Sequence, residues 1–217
     1  ALLYWFDSIG RLIRRIDLAT GKRREIAMPS EIGMIAFRAG GGLIAALRDG
    51  LYFVDFDTGM ATPANLIDTG RDVQRFNDGK IDRQGRLVVG TMHIKAPPDR
   101  RYFGRLYSVG ADLRATVLED FVGCANGQSF SPDGRTFYFT DSPKRQIWAY
   151  DYDTATGTIS GKRTIFDTEP YKSPADGQTV DADGFLWTTL TGARKILRLA
   201  PTGRIAQEID VAFNPTN

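Results

Sequence analysis

A glycine-containing turn recurs along the chain at nearly constant spacing, and this repeat restricts the fold more than any single motif. Each copy has a short apolar strand, a polar turn and a second apolar strand. The four copies are residues 36–43, 81–87, 130–137 and 180–186, with turn glycines Gly41, Gly85, Gly134 and Gly184 at intervals of 44, 49 and 50 residues. Glycine suits such turns because it adopts positive φ without steric cost. A regular repeat of this kind indicates stacked β units.

A second turn recurs out of phase with the first, at residues 17–21, 55–59, 153–157 and 201–203. The strands before it alternate apolar and polar residues, which is the period of a half-buried strand. No stretch of ten or more residues has a convincing helical period. Two turns per repeat of roughly 45 residues predict the four-stranded blades of a β-propeller. A β-sandwich is the alternative, but it does not explain intervals this even.

The repeat also predicts where the blades lie. They are residues 1–28, 33–70, 77–120, 126–166 and 176–210, with residues 214–217 beginning a sixth. We therefore predict one all-β propeller domain over residues 1–217, lacking the first inner strand and most of the last blade. An open propeller exposes sheet edges, which soluble proteins avoid. The sequence is therefore predicted to be part of a longer chain; a shorter protein that closes by another route is the alternative.

Composition narrows the possible partners and compartments. The formal net charge is only +2, from 28 basic and 26 acidic residues, which argues against a nucleic-acid partner. No apolar run approaches the roughly 18 residues that span a membrane. The single cysteine, Cys124, excludes an internal disulfide and favours a reducing compartment, so a cytoplasmic location is predicted.

Side chains with oxygen donors recur at the start of three successive inner strands. Asn77, Asn126 and Asp176 lie 49 and 50 residues apart, and each belongs to a segment that contains glycine. In a propeller these positions converge at one mouth of the central channel. Amide and carboxylate oxygens suit a hard cation such as Ca²⁺ or Mg²⁺. Because Asn-Gly and Asp-Gly are also ordinary turn dipeptides, a purely structural role remains open.

A set of short motifs then gives a family resemblance across nearly the whole chain. They are residues 75–82, 90–92, 126–127, 131–136, 140–142, 150–153, 176–177, 180–184 and 186–187. In this order and spacing they resemble the SMP-30/gluconolactonase family, also called regucalcin-like proteins. The resemblance implies a six-bladed β-propeller whose central cation is held by a Glu, an Asn and an Asp.

Carried onto this sequence, the resemblance assigns the metal ligands Asn126 and Asp176. It assigns Arg75 and Asn77 to binding of a sugar lactone. The Glu belongs to an inner strand that the sequence does not contain, so the third protein ligand is expected before residue 1. Lys95 falls near a position that is often acidic in the family, which leaves the substrate undetermined. Ca²⁺ is the expected cation, with Zn²⁺, Mn²⁺ or Mg²⁺ as alternatives.

The implied activity is metal-dependent hydrolysis of sugar-acid lactones. Asp176 is the candidate general base for the attacking water, although ligation alone is the other possible role. The only histidine, His93, excludes a Ser-His-Asp triad unless that residue serves it. A non-catalytic propeller, either a calcium-binding regulator or an interaction platform, is the alternative function, since a fold does not determine an activity. The oligomeric state is left open.

Overall fold

The computed structural model describes residues 1–65, 67, 69 and 72–216. Within them, nineteen strands form five sheets, and the strands bear out the all-β prediction. The strands are β1 (Leu2–Asp7), β2 (Leu12–Asp17), β3 (Arg23–Ala27), β4 (Ile32–Phe37), β5 (Leu43–Leu47), β6 (Gly50–Asp55), β7 (Met60–Asn65), β8 (Gln74–Ile81), β9 (Leu87–His93), β10 (Gly104–Val109), β11 (Ala115–Val122), β12 (Ala125–Phe130), β13 (Thr136–Asp141), β14 (Gln146–Tyr152), β15 (Ile159–Asp167), β16 (Ala175–Val180), β17 (Leu186–Leu190), β18 (Lys195–Leu199) and β19 (Ile205–Asp210).

Helix is almost absent from the described part of the chain. Its only helices there are two 3₁₀ turns of three residues, Ser142–Lys144 and Glu169–Tyr171. Both are far shorter than the roughly 20 residues of a membrane-spanning helix.

Every sheet is an antiparallel meander in chain order, which makes each sheet one propeller blade. The first blade has the three strands β1–β3, and the other four blades have four strands each. The inner strands β4, β8, β12 and β16 lie side by side, because β8 contacts both β4 and β12, and β12 contacts β16. This arrangement brings the starts of the inner strands to one end of a central channel.

The prediction of six blades is wrong. The described residues form a five-bladed propeller, and residues 211–216 form no strand. The segment instead uses its carbonyl groups to accept side-chain hydrogen bonds. Thr189 donates to the carbonyl of Thr216 at 2.6 Å, and Thr191 donates to that of Pro215 at 3.0 Å. Residue 217, the last of the predicted sixth blade, lies outside the described residues.

The repeated turn has a common physical basis in the third and fifth blades. Asp82 Oδ1 accepts the backbone N–H groups of Gln84 and Arg86 at 2.9 and 2.7 Å, which closes the turn. Asp181 makes the same bonds in the fifth blade. The following glycines, Gly85 and Gly184, have φ of 88° and 85°, the left-handed conformation that glycine adopts most readily. The glycine requirement predicted from the sequence is therefore confirmed at these turns.

Adjacent blades pack through apolar clusters between their faces. The contact between the third and fourth blades is rich in aromatic side chains, including Phe137, Phe139, Trp148 and Tyr150, all buried. Phe139 and Trp148 lie 6.0 Å apart between ring centroids, a distance at which aromatic pairs attract. These clusters hold the inner strands at fixed separations.

Candidate functional site

The predicted site residues lie together at one end of the channel. Arg75, Asn77, Asn126 and Asp176 all line a cavity of about 890 Å³. The strand register is irregular where each inner strand carries its polar residue, between Phe76 and Asp78 in β8 and in the corresponding parts of β12 and β16. Such bulges re-aim side chains, and here they accompany the polar groups at the channel mouth.

Asn126 is buried at the centre of a hydrogen-bonded set. Its Oδ1 accepts a bond from Asn77 Nδ2 at 2.8 Å, and its Nδ2 donates to Ser142 Oγ at 2.8 Å. Ser142 Oγ in turn donates to the carbonyl of Ala175 at 2.8 Å, the residue before Asp176. Ser142 thus connects the two predicted ligand positions.

The two orientations of the Asn126 amide place different atoms beside Asp176. With Oδ1 toward Asn77, that oxygen lies 3.1 Å from Asp176 Oδ1; with the amide reversed, the nitrogen occupies this point and donates to Asp176. Two oxygens this close repel each other unless a proton or a cation lies between them. The first orientation therefore offers two oxygen donors to one hard cation. The reversed orientation bonds to Asp176 without a cation, but it brings the Asn126 nitrogen 2.8 Å from Asn77 Nδ2 and removes the bond that Asn77 donates.

Few protein groups stabilise the negative charge of the Asp176 carboxylate. It accepts a bond from Thr191 Oγ1 at 3.3 Å, and it forms no salt bridge with any of the described residues. Burial raises its pKa, opposed by the Thr191 bond. A bound cation would offset the cost of holding this partly buried group ionised. The donor set thus fits a cation that completes its shell with water or substrate.

Arg75 presents a desolvated guanidinium to the same cavity. Its Nη1 donates to the carbonyl of Phe76 at 2.8 Å. Burial lowers its pKa, and the nearby Cys124 and Glu31 oppose that shift. Glu31 itself pairs with Arg48 at 3.3 Å. The Arg75 fork therefore remains suited to planar or hydroxyl acceptors of a ligand.

The surroundings of Cys124 and His93 favour a structural role for both side chains. Burial raises the pKa of the Cys124 thiol to about 12, so it is protonated at neutral pH and is not an activated nucleophile. His93 is buried against Tyr102 and Phe103, and its Nε2 accepts the backbone N–H of Phe103 at 3.2 Å. Neither side chain provides a nucleophile–base pair.

Lys95 lies outside the cavity lining. It is exposed in the segment after β9, whose Met92 does line the cavity. Among the described residues, no three His, Cys, Asp or Glu side chains come together as a metal cluster. The family resemblance implies a third, acidic ligand; besides Asp176, the acidic residue among the described residues that line the cavity is Asp7.

Sequence reasoning gave no role to two buried carboxylates beside the site. Asp141, fully buried, accepts the N–H groups of Gly123 and Cys124 at 3.0 and 2.8 Å and so holds the segment before Asn126. Asp78 accepts the N–H of Gly127 at 2.8 Å, directly after Asn126. Asp141 does occur within a motif noted above, but only the tertiary contacts reveal what it holds.

Protonation of Asp78 should make the free energy of unfolding of the metal-free protein depend on pH. Burial is the main cause that raises its pKa to about 6. A carboxyl group with a raised folded-state pKa stabilises the protein at low pH and loses that contribution as pH rises, here between about 4 and 6. We expect the free energy of unfolding to fall on the order of 2 kcal/mol more across this window than in Asp78→Asn. Urea unfolding in EDTA at several pH values tests this, and parallel pH profiles would contradict it.

Similarity to known proteins identifies the family to which this propeller belongs. The sequence model of the "SMP-30/Gluconolactonase/LRE-like region" matches residues 1–217. The chain belongs to the SMP-30/gluconolactonase family. The resemblance seen in the sequence motifs is therefore confirmed over the whole chain.

Relatives of this chain carry different names. A regucalcin from Xenopus laevis is 30% identical over 217 residues, which are 99% of this chain and 73% of the relative. A 6-deoxy-6-sulfogluconolactonase from Pseudomonas putida is 32% identical over 212 residues, which are 97% of this chain and 71% of the relative. The crystal structure of regucalcin from Agrobacterium tumefaciens, described as a calcium-binding protein, superposes with a TM-score of 0.90 at 28% identity, over 98% of this chain and 71% of that one. This SMP-30/gluconolactonase family member thus resembles both a named lactonase and a protein described as calcium-binding.

Proposed function

We propose that the protein is a metal-dependent hydrolase that opens sugar-acid lactones. One observation carries this proposal: the carboxylate of Asp176, which has no salt-bridge partner among the described residues, lies 3.1 Å from the Asn126 amide, in a cavity that also presents Arg75 and Asn77. The family and its lactonase relative support the same reaction class. Regucalcin relatives leave open how general catalysis is among similar chains.

Asn126 and Asp176 would hold the divalent cation, with Ca²⁺ the first candidate and Zn²⁺, Mn²⁺ or Mg²⁺ as alternatives. A bound cation of this kind polarises an ester carbonyl and lowers the pKa of water.

Asp176 would take a proton from the attacking water. The water oxygen bonds to the acyl carbon of the lactone, the ring C–O bond breaks, and the ring oxygen receives a proton. The product sugar acid then releases a proton at neutral pH, which makes the reaction measurable. If Asp176 serves only as a ligand, the proton passes directly to solvent.

Arg75 and Asn77 would orient the sugar. Asn77 Nδ2 is already engaged, since it donates to Asn126 and to the carbonyl of Ala125, both at 2.8 Å. Its oxygen is therefore the group that remains for a ligand hydroxyl. Arg75 would donate to hydroxyl or carbonyl oxygens, and an anionic substituent would bind it more strongly.

The second candidate is a non-catalytic calcium-binding or interaction propeller. The names of the regucalcin relatives favour it, as does the basic Lys95 near a position that is often acidic in the family. In this case the same two oxygen donors bind a cation, but no lactone is opened. Turnover measurements distinguish the two functions.

Removal of metal provides the direct test. Proton release from gluconolactone, xylonolactone and an anionic 6-sulfo analogue would be measured after EDTA dialysis and after return of Ca²⁺, Mn²⁺ or Zn²⁺. We expect EDTA to reduce turnover to the uncatalysed rate and at least one cation to restore it, because the carbonyl is not activated without metal. Metal binding without turnover on any lactone would favour the calcium-binding alternative.

The partners and compartment remain proposals. The expected partner is a small lactone, with no nucleic acid and no membrane. A cytoplasmic location rests on the single cysteine alone.

A further inference from the structure

A second group of polar side chains lies farther along the channel from the candidate site. We call Asp78, Gln128, Gln178 and Thr188 the channel cluster. Gln128 and Gln178 directly follow Asn126-Gly127 and Asp176-Gly177 on the inner strands. Together with Asp78 and Thr188 they line a cavity of about 360 Å³, distinct from the one that holds Asn126 and Asp176.

The side-chain polar atoms of Gln128, Gln178 and Thr188 are buried and have no hydrogen-bond partner among the described residues. Gln128 is 2% exposed and Thr188 is 1% exposed. The amide nitrogen and oxygen of Gln128, the same atoms of Gln178, and Thr188 Oγ1 are all without a partner. Buried polar groups in folded proteins are normally satisfied, so five unsatisfied atoms around one cavity indicate something that binds there.

Neighbouring strands hold both amides in place. The Gln178 side chain lies against Gly127, whose lack of a Cβ leaves room for it. Gln128 Nε2 lies 3.3 Å from the point where a Cβ on Gly90 would be. The two amides are therefore packed against glycines of adjacent inner and second strands.

The donors and acceptors left unsatisfied in the channel cluster determine which kind of ligand fits it. Each amide offers two N–H donors and a carbonyl acceptor. A bare cation would satisfy only the oxygens, and a simple anion only the N–H groups. A hydroxyl group donates and accepts, and it also suits the Thr188 hydroxyl and the buried carboxylate of Asp78.

We propose that the channel cluster is a binding site for hydroxyl-bearing molecules, filled by ordered water or by a small polyol that displaces it. A cavity of about 360 Å³ has room for several waters at about 30 Å³ each. Asp78 contributes acceptor capacity beyond the backbone N–H groups of Gly79 and Gly127 that it already binds. This site does not depend on the lactonase function, since none of its side chains is a proposed metal or substrate ligand.

Nuclear magnetic resonance of the side-chain amides tests the site in the wild-type protein. We expect the Hε2 protons of Gln128 and Gln178 to show cross-peaks to long-lived water. Titration with glucitol separates the two sources: saturable shifts of both amides indicate a polyol, and unchanged shifts with persistent water contacts indicate water alone. A high-resolution crystal structure should show the same molecules bridging the two amides and Thr188.

Variants assign the signals and provide a control. Gln128→Met and Gln178→Met retain an unbranched side chain and should each remove the corresponding contact. Gln207→Met, on the exposed strand β19, should leave the water contacts unchanged. If both wild-type amides contact neither water nor glucitol, or if they bond only to protein groups, the proposed site is wrong whatever the lactone assay shows.

Discussion

Replacing Asp176 with Asn is expected to lower lactonase kcat/KM more than about a hundredfold and to weaken metal binding in parallel. Loss of a residue that only supports a metal ligand already costs about 10–100-fold, and Asp176 is the proposed ligand itself. The neutral amide removes both a charged donor and the candidate base. Titration calorimetry with Ca²⁺ and proton-release kinetics on the same preparations would measure the two effects.

The fold of this variant should survive. Burial raises the pKa of Asp176, so a neutral side chain at this position should not lower the free energy of unfolding in metal-free protein at neutral pH. Asp183→Asn is a matched control, because Asp183 lies in an exposed turn of the same blade. Full activity in Asp176→Asn, or equal losses in both variants, would show that the site is wrongly placed.

Replacing Asp141 with Ala is expected to lower the free energy of unfolding by about 3 kcal/mol, because its removal leaves buried N–H groups without acceptors. The fully buried carboxylate accepts bonds from Gly123 and Cys124 and pairs with Lys144 at 3.1 Å. The bonded segment leads directly into Asn126, so affinity for the cation should also fall. Chemical denaturation, monitored by tryptophan fluorescence, measures the first effect, and calorimetric metal titration measures the second.

A surface ion pair gives the comparison for Asp141. Asp151 pairs with Arg163 at 2.8 Å, but its side chain is 69% exposed, and such pairs contribute about 0–1 kcal/mol. Asp151→Ala should therefore change stability and metal affinity little. Similar small effects in Asp141→Ala would mean that the 121–126 segment does not depend on this carboxylate.

The blade repeat was predictable because it depends on local chemistry. The turn aspartates and glycines, such as Asp82 and Gly85, act within a few residues of each other, and their spacing appears directly in the sequence. The number of blades was not predictable in the same way. Residues 211–216 directly follow β19 but form no strand, and the carbonyls of Pro215 and Thr216 bond to Thr191 and Thr189.

The candidate site was predictable only in part. Equal spacing placed Asn77, Asn126 and Asp176 at equivalent points of consecutive blades, and the structure brings all of them to one cavity. Their roles remain predictions. The supporting groups were missed because each depends on long-range contacts: Ser142 Oγ reaches the carbonyl of Ala175, 33 residues away, and Asp78 reaches the N–H of Gly127, 49 residues away.

The sequence by itself determined the blade as the structural unit, since turn chemistry and strand alternation are local. Its motifs also determined the family. Tertiary structure decided that the described residues form five blades, and that the partly buried Asp176 carboxylate has no salt-bridge partner among them. It also decided that Gln128 and Gln178 are left without hydrogen bonds in the channel. These properties depend on which side chains from different blades meet. Each side chain becomes buried, and gains or lacks a hydrogen-bond partner, only when the strands pack around a common axis.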